Sequence, residues 1–134
     1  MSDRVFLDAN VLVSAAWLPE NGLLALWDLV DVQLLTSAYA IAEADRNVRT
    51  SDQRTRLHRL AQRVQIVDEP HGQELPSTVR LPTKDVPILL AAIEASANYL
   101  LTGDLEHFGS YFGQSVSSVH ILRPRDYLVG RQRT

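Results

Sequence analysis

Val5-Phe6-Leu7-Asp8-Ala9-Asn10 and Tyr99-Leu100-Leu101-Thr102-Gly103-Asp104 each run a short apolar stretch into an acid. Such a stretch, stopped by turn-forming residues, reads as a buried strand, so both segments predict a strand whose carboxyl end carries an aspartate. Val32 to Thr36, Val64 to Val67 and Val119 to Leu122 have the same apolar character. The segments between them have helical spacing. A short helix follows Asp8, and after the break at Pro19-Glu20-Asn21-Gly22 the residues Leu23, Leu24, Leu26, Trp27 and Val30 predict a second. Ala38 to Val48 is alanine-rich with Ser37 placed to cap it, and Ser51-Asp52 opens a helix with Leu57, Leu60, Ala61 and Val64 on its apolar side. Glu69 to Pro82, with Pro70, Pro76 and Pro82, predicts a long loop. Asp85 or Thr83 then caps a helix that tolerates Pro87 in its first turn. A short aromatic helix (Phe108, Tyr111, Phe112) and a closing turn from Pro124 to Leu128 complete the chain. Strands separated by helices imply a parallel five-stranded sheet covered on both faces, an α/β fold of three layers, α/β/α.

A length of 134 residues suits one domain, residues 1–134, and no internal repeat or linker divides it. Its 46% hydrophobic and 22% charged residues are those of a globular protein, and no apolar run approaches the ~20 residues of a membrane span. The start lacks the charged, apolar and small-residue succession of a secretory signal, so a cytoplasmic location is expected. Cysteine is absent, which excludes disulfides, thiolate metal sites and a cysteine nucleophile. Net charge is −3, yet of thirteen basic residues twelve are arginine, and Arg46, Arg49, Arg54, Arg56, Arg59 and Arg63 lie close together. Without the four acids singled out below the remainder carries +1, so the acidic balance is no argument against a nucleic-acid partner.

Open parallel sheets bind ligands outside the carboxyl ends of the strands, where the strand order reverses. Asp8 follows the first predicted strand, Asp104 the fourth, Glu43 lies in the helix after the second, and Asp85 opens the helix leading into the fourth. Each has an ordinary structural use as well: Asp8 as an Asx turn, Asp85 as a helix cap, Asp104 as a turn residue, Glu43 as a solvated charge. Together they fit one edge of the sheet. Four carboxylates that close cannot all stay ionised near neutral pH unless a cation neutralises them, and oxygen ligands favour magnesium or manganese over zinc.

In order along the chain, residues 5–14, Ser37 to Asn47, Lys84 to Ala92 and Tyr99 to Gly109 resemble the successive motifs of PIN-domain nucleases. The resemblance implies a parallel five-stranded sheet between helices. It matches Asp8, Glu43, Asp85 and Asp104 to the family's catalytic, metal-binding acids, with Asn10 and Thr102 as polar groups supporting the metal ligands. Asn98 stands where relatives often have Asp. His107 stands where some carry a further acid, which leaves open whether it touches substrate or metal; a partly exposed histidine without a role is the default expectation. Small single-domain members look like the toxins of bacterial type II toxin–antitoxin pairs (VapC-like), which cleave RNA and are restrained by an antitoxin. The resemblance also implies a homodimer.

The expected activity is therefore Mg2+- or Mn2+-dependent endonucleolytic cleavage of RNA, with Asp8, Asp85 and Asp104 as metal ligands and Glu43 either a ligand to a second ion or a base for water. Arg46, Arg49, Arg54, Arg56, Arg59 and Arg63 are suited to the phosphate backbone, and equally to a solvated helix face or a protein partner. A stand-alone RNA-processing nuclease would carry the same motifs. A haloacid-dehalogenase-type phosphatase would need an acid where Asn10 stands, since the amide cannot supply a proton. A non-catalytic binding domain with a vestigial site remains an alternative, against which the retention of four mutually repelling carboxylates argues.

Overall fold

A computed structural model describes residues 2–132. Six strands, β1 (Asp3–Leu7), β2 (Val32–Ser37), β3 (Gln65–Val67), β4 (Tyr99–Leu101), β5 (Ser115–Val116) and β6 (Val119–Leu122), form one sheet in the order β3-β2-β1-β4-β6-β5. The pairings β1·β2, β1·β4, β2·β3 and β4·β6 are parallel, which requires helical crossovers, and only β5·β6 is antiparallel. The order reverses at β1, which has β2 on one side and β4 on the other.

Alternation along the strands divides the core in two. Val5 and Leu7 face a cluster with Leu34, Leu101, α1 (Ala9–Ala16), Leu57 of α3 (Ser51–Ala61) and Tyr127 of α6 (Pro124–Gln132). Phe6, between them, faces the opposite cluster with Leu35, Leu100, Ile121, α4 (Val86–Glu94) and Phe108 of α5 (Leu105–Phe108). These are the two outer layers expected, and α2 (Ala38–Asn47) gives Ala44 to the first cluster and Ala40 to the second. Ser37 Oγ accepts from Ala40 N at 3.1 Å, the expected cap of α2.

Three expectations need correction. The sheet has six strands where five were expected: Ser115–Val116 pairs back on β6 through Ser117 and Ser118, both at positive φ (47° and 73°), the backbone twist of a tight hairpin. Its sequence lacks the glycine that usually signals such a turn. Gly22–Asp28 forms a 3-10 helix where an α-helix was expected. α3 starts at Ser51 as expected, and its cap is Thr50, whose hydroxyl accepts from Gln53 N while the Gln53 side chain accepts from Thr50 N, a reciprocal capping box. The closing segment is a helix, not a turn; Tyr127 ties it to β1 by donating its hydroxyl to Asp3 Oδ2 at 2.8 Å. Among the described residues no helix is long and apolar enough to cross a membrane.

Candidate active site

Because β1 and β4 are adjacent and parallel, the turns that end them lie side by side. Asp8 and Asp104 thus arrive at one edge, and α4 delivers Asp85 there and α2 Glu43. All four acids line a single cleft of about 440 Å³ together with Asn10, Asn47 and Lys84.

Asp8 heads α1, and its Oδ1 accepts from Ala9 N at 2.6 Å, so it does serve as a helix cap. The other oxygen, Oδ2, accepts from the Thr102 hydroxyl at 2.9 Å and from Asn10 Nδ2 at 3.2 Å. Asn10 completes the frame: its amide nitrogen also donates to Thr102 Oγ1 at 3.1 Å and its carbonyl accepts from Gly103 N at 2.7 Å. This side chain is a clamp between the β1 and β4 turns. It has no access to the chemistry of a general acid, which bears directly on the phosphatase alternative. Asp8 is 2% exposed, and burial pushes its carboxyl up to about 6 against the opposing pull of the Thr102 hydroxyl and the Ala9 N–H, with Glu43 and Asp85 adding repulsion.

Asp85 differs in kind. It heads α4, but its side chain makes no capping hydrogen bond. The carboxylate is 3% exposed by residue, and Oδ2 is a buried oxygen without a hydrogen-bond partner. A buried, unpaired carboxylate oxygen is destabilising, so the ordinary use of a helix-capping aspartate does not account for it. Asp104 caps the short α5 by accepting from His107 N at 3.1 Å through Oδ1, leaving Oδ2 turned to the cleft. Lys84 Nζ stands 3.6 Å from Asp85 Oδ1. Burial works against its charge, but the attraction of Asp85, Glu43 and Asp104 outweighs that, and its pKa is raised.

His107, whose default expectation was no role, stands inside the acid group. Its Nδ1 lies 2.9 Å from Asp85 Oδ2 and 2.8 Å from Asp104 Oδ2. Asp85, Asp104 and His107 each offer a ligand atom within 4.8 Å of the others, a spacing that fits one cation. Asp8 and Glu43 line the same cleft outside that trio; the Glu43 carboxylate has no hydrogen-bond partner among the described residues. The sequence signal for His107 was its position three residues beyond Asp104, one helical turn along α5. Lys84 carried no comparable signal, since only the fold places it in the cleft with the acids. Asn98 lies before β4, at the opposite end from the cleft, where its Oδ1 accepts from Arg4 N at 2.7 Å.

The arginines separate into two groups. Arg54 Nε donates to Asp45 at 3.0 Å, Arg56 donates to the carbonyls of Ala16 and Trp17 at 2.9 Å each, and Arg63 donates to the Trp27 carbonyl at 3.0 Å. The guanidinium groups of Arg46, Arg49 and Arg59 have no hydrogen-bond or ion-pair partner among the described residues, and all three residues are exposed. Of the six arginines, these three have guanidinium groups free to meet a phosphate.

No curated protein matches the chain. The solved structure of VapBC2 from Rickettsia felis bound to a DNA fragment from their promoter is similar in fold, with a TM-score of 0.63 and 14% identity over 90% of this chain and 98% of that one. The model of the PIN domain matches residues 4–106, a span from β1 into the start of α5 that contains every acid of the cleft. The chain belongs to the PIN-domain family.

Proposed function

We propose that this protein is a divalent-metal-dependent endoribonuclease that hydrolyses RNA phosphodiester bonds, acting as the toxin of a toxin–antitoxin pair. The observation that carries the metal reading is Asp85: a buried carboxylate oxygen with no hydrogen-bond partner, beside a second acid, at the switch edge of a parallel sheet. RNA as substrate and an antitoxin as partner rest on the family resemblance, with the likeness to the VapBC2 structure in support. RNA as substrate goes with a cytoplasmic location.

Asp85 and Asp104 would hold the ion, with Asp8 and Glu43 in the same cleft. Mg2+ or Mn2+ supplies charge neutralisation at the scissile phosphate and a lowered pKa for attacking water. The protein's own groups do the rest. The Thr102 hydroxyl, the Asn10 amide and the Ala9 N–H fix both oxygens of Asp8. The Glu43 carboxylate, without a hydrogen-bond partner among the described residues, is available to take the proton of the water that adds to phosphorus as the bond to the leaving ribose oxygen breaks, that oxygen taking a proton from solvent. Lys84 offers a cation at the rim, and Arg46, Arg49 and Arg59 attract the phosphate backbone. Arg54 and Arg56 join them only where RNA competes with Asp45 and the α1 carbonyls. Trp17 and Leu18, 40% and 57% exposed, give apolar surface to a second copy or to an antitoxin, whereas Trp27 is buried.

The purified protein should cleave RNA with Mg2+ or Mn2+ and lose that activity to a chelator. Asp85→Asn should abolish cleavage with the fold retained, because it removes a buried charge. Cleavage that persists in chelator, or in Asp85→Asn, would sink the proposal. A homodimer predicts light scattering at twice the 15.0 kDa chain mass.

A further inference from the structure

His107 reaches the acid cluster from α5 with its Nδ1 at 2.9 Å from Asp85 Oδ2 and 2.8 Å from Asp104 Oδ2. Such distances would suit hydrogen bonds, but Asp85 Oδ2 and His107 Nδ1 are both buried and without a hydrogen-bond partner, because their directions are wrong for one. The Asp85 side chain is only 5% exposed, so water does not readily take the missing partner's place. Three ligand atoms therefore converge without a hydrogen bond among them.

Atoms bound at adjacent vertices of an octahedral ion, each about 2.1 Å from it, stand about 3 Å apart. That is close to the separation of His107 Nδ1 from either carboxylate oxygen. The side chains that would compete for this position are placed elsewhere: Lys84 meets the other oxygen of Asp85, at 3.6 Å, and Asp104 uses its Oδ1 to cap α5.

We propose that His107 is a nitrogen ligand to the cation held by Asp85 and Asp104, and that this mixed nitrogen–oxygen set makes the site prefer a first-row transition ion such as Mn2+ to Mg2+. The inference rests on the metal-dependent reading above and refines it. Magnesium is a hard ion that keeps oxygen ligands and gives up water reluctantly, whereas imidazole nitrogen favours transition metals. A site of carboxylates alone would lack that discrimination.

The test uses the full-length protein loaded with one equivalent of Mn2+ after exhaustive chelation. Pulsed electron paramagnetic resonance should show 14N modulation from a directly bound imidazole. His107→Gln should lose that modulation and bind Mn2+ at least about tenfold more weakly by calorimetry, since loss of a ligand should exceed the effect of removing an outer-shell partner. Mg2+ binding should change less, so the preference for Mn2+ narrows. The parent spectrum decides the matter even if His107→Gln fails to fold. Bound Mn2+ without nitrogen modulation would overturn the role of His107 and leave the metal-dependent nuclease standing. Failure of the parent to bind Mn2+ or Mg2+ at all would overturn both.

Discussion

Thr102 donates its hydroxyl to Asp8 Oδ2 at 2.9 Å, joining the carboxyl ends of β4 and β1 across 94 residues of chain. That bond favours the ionised carboxylate, yet burial outweighs it and leaves Asp8 titrating at about 6, where an unperturbed aspartate titrates at 3.8. The folded chain thus holds this proton to higher pH than the unfolded one. The associated stability is complete below pH 3.8 and is lost as pH rises through about 6. In metal-free protein the stability difference between the parent and Asp8→Asn should shift by about 2 kcal/mol, to the parent's disadvantage, between about pH 4.5 and about pH 8. Urea denaturation in chelator at the two pH values measures it. Parallel pH dependence in the two proteins would show that Asp8 is not held in this way.

Arg56 reaches from α3 to the end of α1 and donates to the Ala16 and Trp17 carbonyls, two acceptors that α1 itself leaves unpaired. Arg56→Ala should destabilise the fold by about 1–3 kcal/mol, whereas Arg59→Ala should stay within about 0.5 kcal/mol. Chemical denaturation of both variants makes the comparison. Equal effects would remove the distinction between scaffold and free arginines.

The end of α4 offers a stabilising change. Ala97 N donates to Ala92 O at 2.9 Å and Ser96 N to Ile93 O at 3.0 Å, a pattern that places Ser96 in the left-handed region at φ 57°. Glycine normally holds that position. Ser96→Gly relieves a strain of about 1–2 kcal/mol and loses about half of it to the added freedom of the unfolded chain, so the variant should gain about 0.5–1 kcal/mol. A lower urea midpoint would contradict the assignment.

Arg46, Arg49 and Arg59 are the arginines to change together for RNA. Replacing all three by Gln should weaken binding to every RNA sequence and make its salt dependence shallower, with each lost phosphate contact lowering the slope by roughly 0.7–0.9. Folding should survive, because these guanidinium groups make no hydrogen bonds within the described protein. Filter binding over a salt series reads both quantities. An unchanged affinity and slope would give the patch to a protein partner or to solvent.

The strands that carry the acids were legible because apolar runs ending in Asp8 and Asp104 state both burial and termination in a few residues. Two-residue β5 was not, since its turn uses Ser117 and Ser118 in a conformation that serine rarely adopts. The capping box at Thr50 is carried by a pair, Thr50 with Gln53 three residues on, which single-residue preferences do not register. Co-location of the four acids followed from topology. His107 and the orphaned oxygen of Asp85 did not, because they depend on side-chain directions, that of His107 on the four-residue α5 and that of Asp85 at the head of α4. The arginine face looked uniform in sequence. Only packing shows that Arg56 and Arg63 bind carbonyls while Arg59 does not.

β4 enters the sheet between β1 and β6, so the pairing that brings Asp104 to Asp8 is flanked by a strand finishing at Leu122, late in the order of elements. A growing chain that has made β1, β2 and α2 already carries Asp8 and Glu43, but it lacks Asp85, Asp104 and Thr102. The acid cluster is thus assembled only after α4, β4 and the start of α5 have been added. A protein proposed to cut RNA is thereby built without a finished cutting edge while its first two strands and the helix after them are being made.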